Sequence, residues 1–146
     1  MTTTGPKIDR RGFLSVGAGA IALAGITHSV SAAEPTTDDM IESFTGGAAV
    51  GEGKVSLTTP EIAENGNTVP VAVSAPGAVS IMLLATGNPT PSVATFNFGP
   101  LAGARRGSTR IRLSKTQDVV AIAKMEDGTF YRAGATVKVT IGGCGG

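Results

Sequence analysis

The chain has 146 residues, 41% hydrophobic and 16% charged, which suits one domain with one modest core and is too apolar for a disordered chain. A net charge of +1 supplies no pull toward nucleic acid or a membrane surface. One cysteine excludes an internal disulfide framework and any CxxC redox or zinc site, and one histidine excludes a multi-histidine metal centre.

The first segment reads as an export signal. Lys7, Arg10 and Arg11 form a basic region, Phe13 to Ile26 is uncharged and apolar, and Val30-Ser31-Ala32-Ala33 offers small residues for cleavage. The apolar stretch falls short of the ~20 residues that cross a bilayer, so no membrane anchor is expected. Arg10-Arg11-Gly12-Phe13-Leu14 fits the twin-arginine pattern, so residues 1–32 are assigned to a twin-arginine signal peptide and the mature protein to the periplasm. Cleavage after Ala32 or Ala33 removes His28, and with it any Ser-His-Asp triad, Cys-His dyad or histidine metal site within this polypeptide. Three of the 12 basic and one of the 11 acidic side chains leave too, which brings the mature net charge to −1.

Residues 33–52 form an N-terminal lead. Thr36 to Phe44 predicts a short helix, capped by Thr36, Thr37 or Asp38 and ended by Gly46 and Gly47. From 53 to 141 the pattern is strand-like. Val55 and Leu57 alternate with polar residues, as do Val69, Val71 and Val73. Val79 to Ala85 is nearly continuous, as in a strand buried on both faces. Val93, Phe96 and Phe98 mark the next segment, then Ile111 with Leu113, then Val119 to Met125. Asp127-Gly128 signals a hairpin turn into Thr129 to Ala133, and Val137, Val139 and Ile141 form a final strand. Seven or eight short strands with Pro, Gly and Asn turns predict an all-β antiparallel sandwich, with a Greek-key barrel as the alternative. The apolar runs, Val79 to Ala85 above all, also suggest that one face is buried against another protein.

The chain ends Gly142-Gly143-Cys144-Gly145-Gly146. The glycines supply no side chain to a core and leave the backbone maximal freedom, so residues 142–146 read as a flexible arm with the sole thiol at its centre. From Ile141, Cys144 spans at most ~10–11 Å at ~3.3–3.6 Å per residue. The arm holds no cation that would stabilise a thiolate, so activation of the thiol must come from whichever protein receives it. Cys144 therefore suits either presentation to other proteins' active sites or an intermolecular disulfide. Elsewhere the readings are structural. Arg110 and Arg112 lie outward if Ile111 and Leu113 point in, within a basic cluster that includes Arg105, Arg106 and Lys115. Glu61 and Glu64 read as surface charge, and Met40, Met82 and Met125 as packing.

The sequence resembles the SoxY family of bacterial thiosulfate oxidation. The resemblance rests on the twin-arginine signal, on residues Thr59 to Pro70 (TPEIAENGNTVP), on Gly87-Asn88-Pro89-Thr90-Pro91 leading into Ala94 to Phe98, on Arg110 to Leu113 and Gln117 to Ala121, and above all on the terminal GGCGG. It implies an immunoglobulin-like sandwich that is a carrier subunit and not an enzyme, without a catalytic residue, metal or cofactor of its own. Cys144 would be the covalent attachment point for thiosulfate-derived sulfur, on the arm formed by Gly142, Gly143, Gly145 and Gly146. The implied partners are a SoxZ-like small β subunit, a c-type cytochrome coupling enzyme, a sulfate-releasing hydrolase and, in some organisms, a molybdenum sulfane dehydrogenase. The competing function is an exported assembly or adhesion module cross-linked through Cys144.

Overall fold

A computed structural model describes residues 34–141. The signal segment and residues 142–146, Cys144 among them, lie outside the described residues.

The helix forms where capping chemistry favours it. α1 spans Thr37–Thr45, with Thr36 as its cap. The Thr36 hydroxyl accepts from the Asp39 backbone N–H at 3.2 Å, and the Asp39 carboxylate accepts from the Thr36 backbone N–H at 2.8 Å. This reciprocal box satisfies two of the donors that a helix start leaves unpaired. Gly46 closes the helix in the left-handed conformation at φ 66°, which glycine adopts without a Cβ penalty.

Nine strands follow: β1 Val50–Glu52, β2 Ser56–Thr58, β3 Ile62–Ala63, β4 Val69–Ser74, β5 Ala78–Ala85, β6 Ser92–Asn97, β7 Arg106–Ile111, β8 Gln117–Met125 and β9 Phe130–Val139. They form two sheets, as a sandwich requires. The larger runs β1-β9-β8-β5-β6, with β3 also on β9, and the smaller runs β2-β4-β7. Val69, Val71 and Val73 of β4 face Ile81, Leu83, Val119, Ala121 and Val137 across the core. Aliphatic side chains fill the buried centre of this core, and Phe96, Phe98 and Tyr131 pack against it from its margins.

The all-β expectation is met, with three differences. β9 is one strand of ten residues, where the sequence suggested two. Residues 134–136 have no apolar alternation, but their backbone pairs with Asp118 to Val120 and continues the ladder. β1 and β3 lie parallel to β9 and were not anticipated, because two or three residues carry no periodic signal. β7 begins at Arg106, several residues before the Ile111–Leu113 alternation.

β5 is buried on both sides, as its composition predicted. Its inner face joins the sandwich core, and its outer residues Met82 and Leu84 join Ile122 and Phe130 beneath Met40, Ile41 and Phe44 of α1. Phe44 meets Phe130 edge-on at 6.0 Å between ring centroids. The chain's own helix thus covers this apolar run, and it does not call for a partner protein.

Candidate functional site

The end of the sandwich from which residues 142–146 depart is built from three loops and the tail of β9. Lys138 donates its backbone N–H to the Glu61 carbonyl at 2.9 Å, and Thr140 donates to the Ala63 carbonyl at 3.1 Å. The Thr140 hydroxyl donates to the Glu64 carbonyl at 3.0 Å. Gly66 N–H then donates to the Ile141 carbonyl at 2.8 Å, while Leu113 N–H donates to the Gly66 carbonyl at 2.8 Å. On the other flank, Val139 N–H donates to the Thr116 hydroxyl at 3.0 Å. The chain is therefore held from both sides up to Ile141, which is 67% exposed.

A polar network stiffens the same end. Gln117 is buried, and its Oε1 accepts from Gly87 N–H at 2.7 Å while its Nε2 donates to Asn88 Oδ1 at 2.9 Å. Asn88 Oδ1 also accepts from Ser114 N–H at 3.0 Å, and Asn88 Nδ2 donates to the Arg112 carbonyl at 2.7 Å. The Ser114 hydroxyl donates to the Gly87 carbonyl at 3.1 Å. Every buried side-chain polar atom among the described residues has a partner. A satisfied buried network of this kind locks two loops against each other. Sequence reasoning flagged Gly87-Asn88 as a turn but missed this network, since its members lie about 30 residues apart in the chain.

The basic cluster does not form one patch. Arg110 and Arg112 are exposed while Ile111 and Leu113 are buried, as the alternation predicted. Arg105 is instead half-buried. It pairs with Glu126 at 3.2 Å, donates to the Gly99 carbonyl and lies over the Phe98 ring at 6.0 Å, so it ties a loop rather than facing a ligand. Glu61 and Glu64 serve through their backbone carbonyls, and their side chains are at the surface. Met82 and Met125 are buried in apolar clusters, and Met40 packs on one, as expected. Among the described residues no group of three His, Cys, Asp or Glu side chains is placed to hold a metal. No described helix is long and apolar enough to cross a membrane.

The described residues thus hold Thr140 and Ile141 on a hydrogen-bonded platform. The family model "Sulfur oxidation protein SoxY" matches residues 41–144. The chain belongs to the SoxY family. The sulfur carrier protein SoxY from Chlorobium limicola f thiosulfatophilum is 38% identical, with a TM-score of 0.63, over 71% of this chain and 96% of that one. The matched residues include Cys144 at their end. SoxY family membership makes the chain a carrier subunit rather than a catalyst. A superoxide reductase (neelaredoxin) from Ignicoccus hospitalis shares the fold alone, at 18% identity and TM-score 0.53 over 76% of this chain and 98% of that one. No curated protein matches.

Proposed function

We propose that this SoxY-family chain carries thiosulfate-derived sulfur covalently on Cys144 and presents it to sulfur-oxidising enzymes. The observation that carries this reading is the 38% identity to a sulfur carrier protein over nearly all of that relative. The chemistry needs a thiol, because the bond must survive transit and break later, and a sulfur–sulfur bond does both. In loading, the Cys144 thiol and thiosulfate join through sulfur, releasing one proton and two electrons to a c-type cytochrome enzyme. In hydrolysis, water attacks the terminal sulfone group. Sulfate and a proton leave, and a persulfide stays on Cys144. A molybdenum enzyme, in organisms that hold one, oxidises the remaining sulfane sulfur.

In this reading the glycines serve delivery. They let Cys144 extend from the fixed point at Ile141 into a narrow active-site entrance, and ordering them costs ~1–2 kcal/mol per residue, which favours release. The chain works as a heterodimer with a SoxZ-like subunit. It is exported to the periplasm, folded, by the twin-arginine route through Arg10 and Arg11.

The test is the mass of the C-terminal peptide after incubation with thiosulfate and the cytochrome enzyme. A thiosulfate-sized adduct on Cys144, lost in Cys144→Ser while the sandwich stays folded, is the expected result. Adducts elsewhere, or undiminished thiosulfate turnover with Cys144→Ser, overturn the carrier mechanism.

A further inference from the structure

The loop between β3 and β4 holds Asn65-Gly66, the one place in the chain where glycine follows asparagine; Asn67, Asn88 and Asn97 precede threonine, proline and phenylalanine. The nitrogen of the next residue can attack an asparagine carboxamide, and glycine hinders this least, because it has no Cβ and its backbone turns freely. Two features of the fold prepare Asn65 for that attack. The residue is exposed, so solvent base and water reach it. Its Oδ1 accepts from the Asn67 N–H at 2.9 Å, which closes a ring containing the Gly66 nitrogen and draws electrons from the carbon to be attacked.

A third feature withholds the nucleophile. Gly66 is buried. Its N–H donates to the Ile141 carbonyl at 2.8 Å, and its carbonyl accepts from the Leu113 N–H at 2.8 Å. The attacking nitrogen is thus held in place with its proton committed to the clamp. A buried backbone group of this kind gives up its partner only when its segment opens locally.

We propose that Asn65 is a self-modifying site gated by the Ile141 clamp, and that its modification in turn unmakes the clamp. When the clamp opens, the Gly66 nitrogen gives up its proton and bonds to Asn65 Cγ. The Cγ–Nδ2 bond breaks and ammonia leaves with that proton, so a succinimide ring remains. Water then opens the ring at either carbonyl, giving aspartate or its β-linked isomer, and no electrons change hands. The β-linked form puts the Asn65 Cβ into the main chain. Gly66 then stands one atom further along, and it cannot meet Ile141 and Leu113 together as it does here. Sulfur chemistry at Cys144 plays no part in these steps.

The test incubates the mature chain at mildly alkaline pH, folded and in urea, and follows the peptide containing Asn65 by mass. Conversion of amide to acid at Asn65, slower in the folded chain, is expected. Rearrangement at Asp127-Gly128 leaves the mass unchanged and is not counted. Hydrogen exchange of the Gly66 N–H is read on the same protein. Both processes need the same opening, so folding should slow them by the same factor, within about threefold. Thr140→Val removes the hydroxyl bond to the Glu64 carbonyl and should speed both by roughly fivefold, while Thr140→Ser should match wild type. If Thr140→Val does not fold, the wild-type comparison carries the test alone. No conversion of Asn65 even in urea overturns the site. Equal conversion in folded and unfolded chains, or protection factors more than roughly tenfold apart, overturns the gate. A purified β-linked product that still protects the Gly66 and Leu113 N–H groups overturns the effect on the clamp.

Discussion

Tyr131 is the chain's sole tyrosine, and Lys54 places its ammonium 4.4 Å from the ring centre. Lys54 adopts φ 54°, unusual for a residue with a side chain, and its contact with Tyr131 is one observed return for that conformation. Hydrogen bonding to Lys54 holds the Tyr131 hydroxyl below its ordinary pKa, and the same contact raises Lys54. Near-ultraviolet absorbance should therefore give a tyrosinate transition below that of free tyrosine, and Lys54→Met should move it back up. Asp39 is a second sensitive group. Its side-chain bond with the Thr36 hydroxyl, followed by that to the Thr36 backbone, lowers its pKa. Because the folded value is depressed, the contribution of Asp39 is present above the usual carboxylate range and is lost as pH falls through the folded value. Asp39→Asn should flatten the acid limb of a stability profile, read by thermal melts across that range. Neither pair was legible in the sequence. Lys54 and Tyr131 meet only because β1 lies against β9. The Thr36–Asp39 spacing was in plain view, yet three residues competed for the cap.

At the scale of elements, alternation located what is half-buried and failed where burial does not alternate. β4, with its buried Val69, Val71 and Val73, stands as expected, and so does β5 with its continuous apolar run. β1 and β3 escaped because their signal is a parallel backbone pairing, which leaves no side-chain pattern. The contact between β6 and β7 also escaped. Gly107 reads as a flexible residue, but its role is to make room for Phe96. Gly107→Val should cost about 1–3 kcal/mol by overpacking, seen as a lower denaturation midpoint, and adding Phe96→Leu should recover part of it. Coupling between the two substitutions is the measurement that distinguishes this contact from a loss of backbone freedom. For α1, Phe44→Ala should cost about 1–3 kcal/mol, since it uncovers Phe130 and the outer face of β5.

At the scale of the whole molecule, the carrier reading divides labour between a stiff body and a short reach. The clamp at Thr140 and Ile141 was not legible in the sequence, since its partners come from residues 63–66. Bulky β-branched residues at 143 and 145 should leave Cys144 as reactive toward a small alkylating reagent as before, yet slow turnover by enzymes that must admit the arm. Equal slowing in both assays would count against delivery as the glycines' role. Export is tested separately, by replacing Arg10 and Arg11 with lysine. Precursor retained in the cytoplasm is expected, and normal periplasmic accumulation defeats the twin-arginine reading.

The position of β9 has a kinetic meaning. It is the last described strand in sequence, yet it stands between β8 and two early strands, β1 and β3, with Val50 meeting Phe130 across most of the domain. Until β9 is available, β8 is a bare edge, and β1 and β3 have nothing in their sheet to pair with. Closure is thus a long-range event that cannot proceed strand by strand as the chain is made, and topology of this kind folds slowly. The same insertion that completes the large sheet also seats Thr140 and Ile141. A chain in which Thr140 and Ile141 are seated is therefore one whose large sheet has already closed.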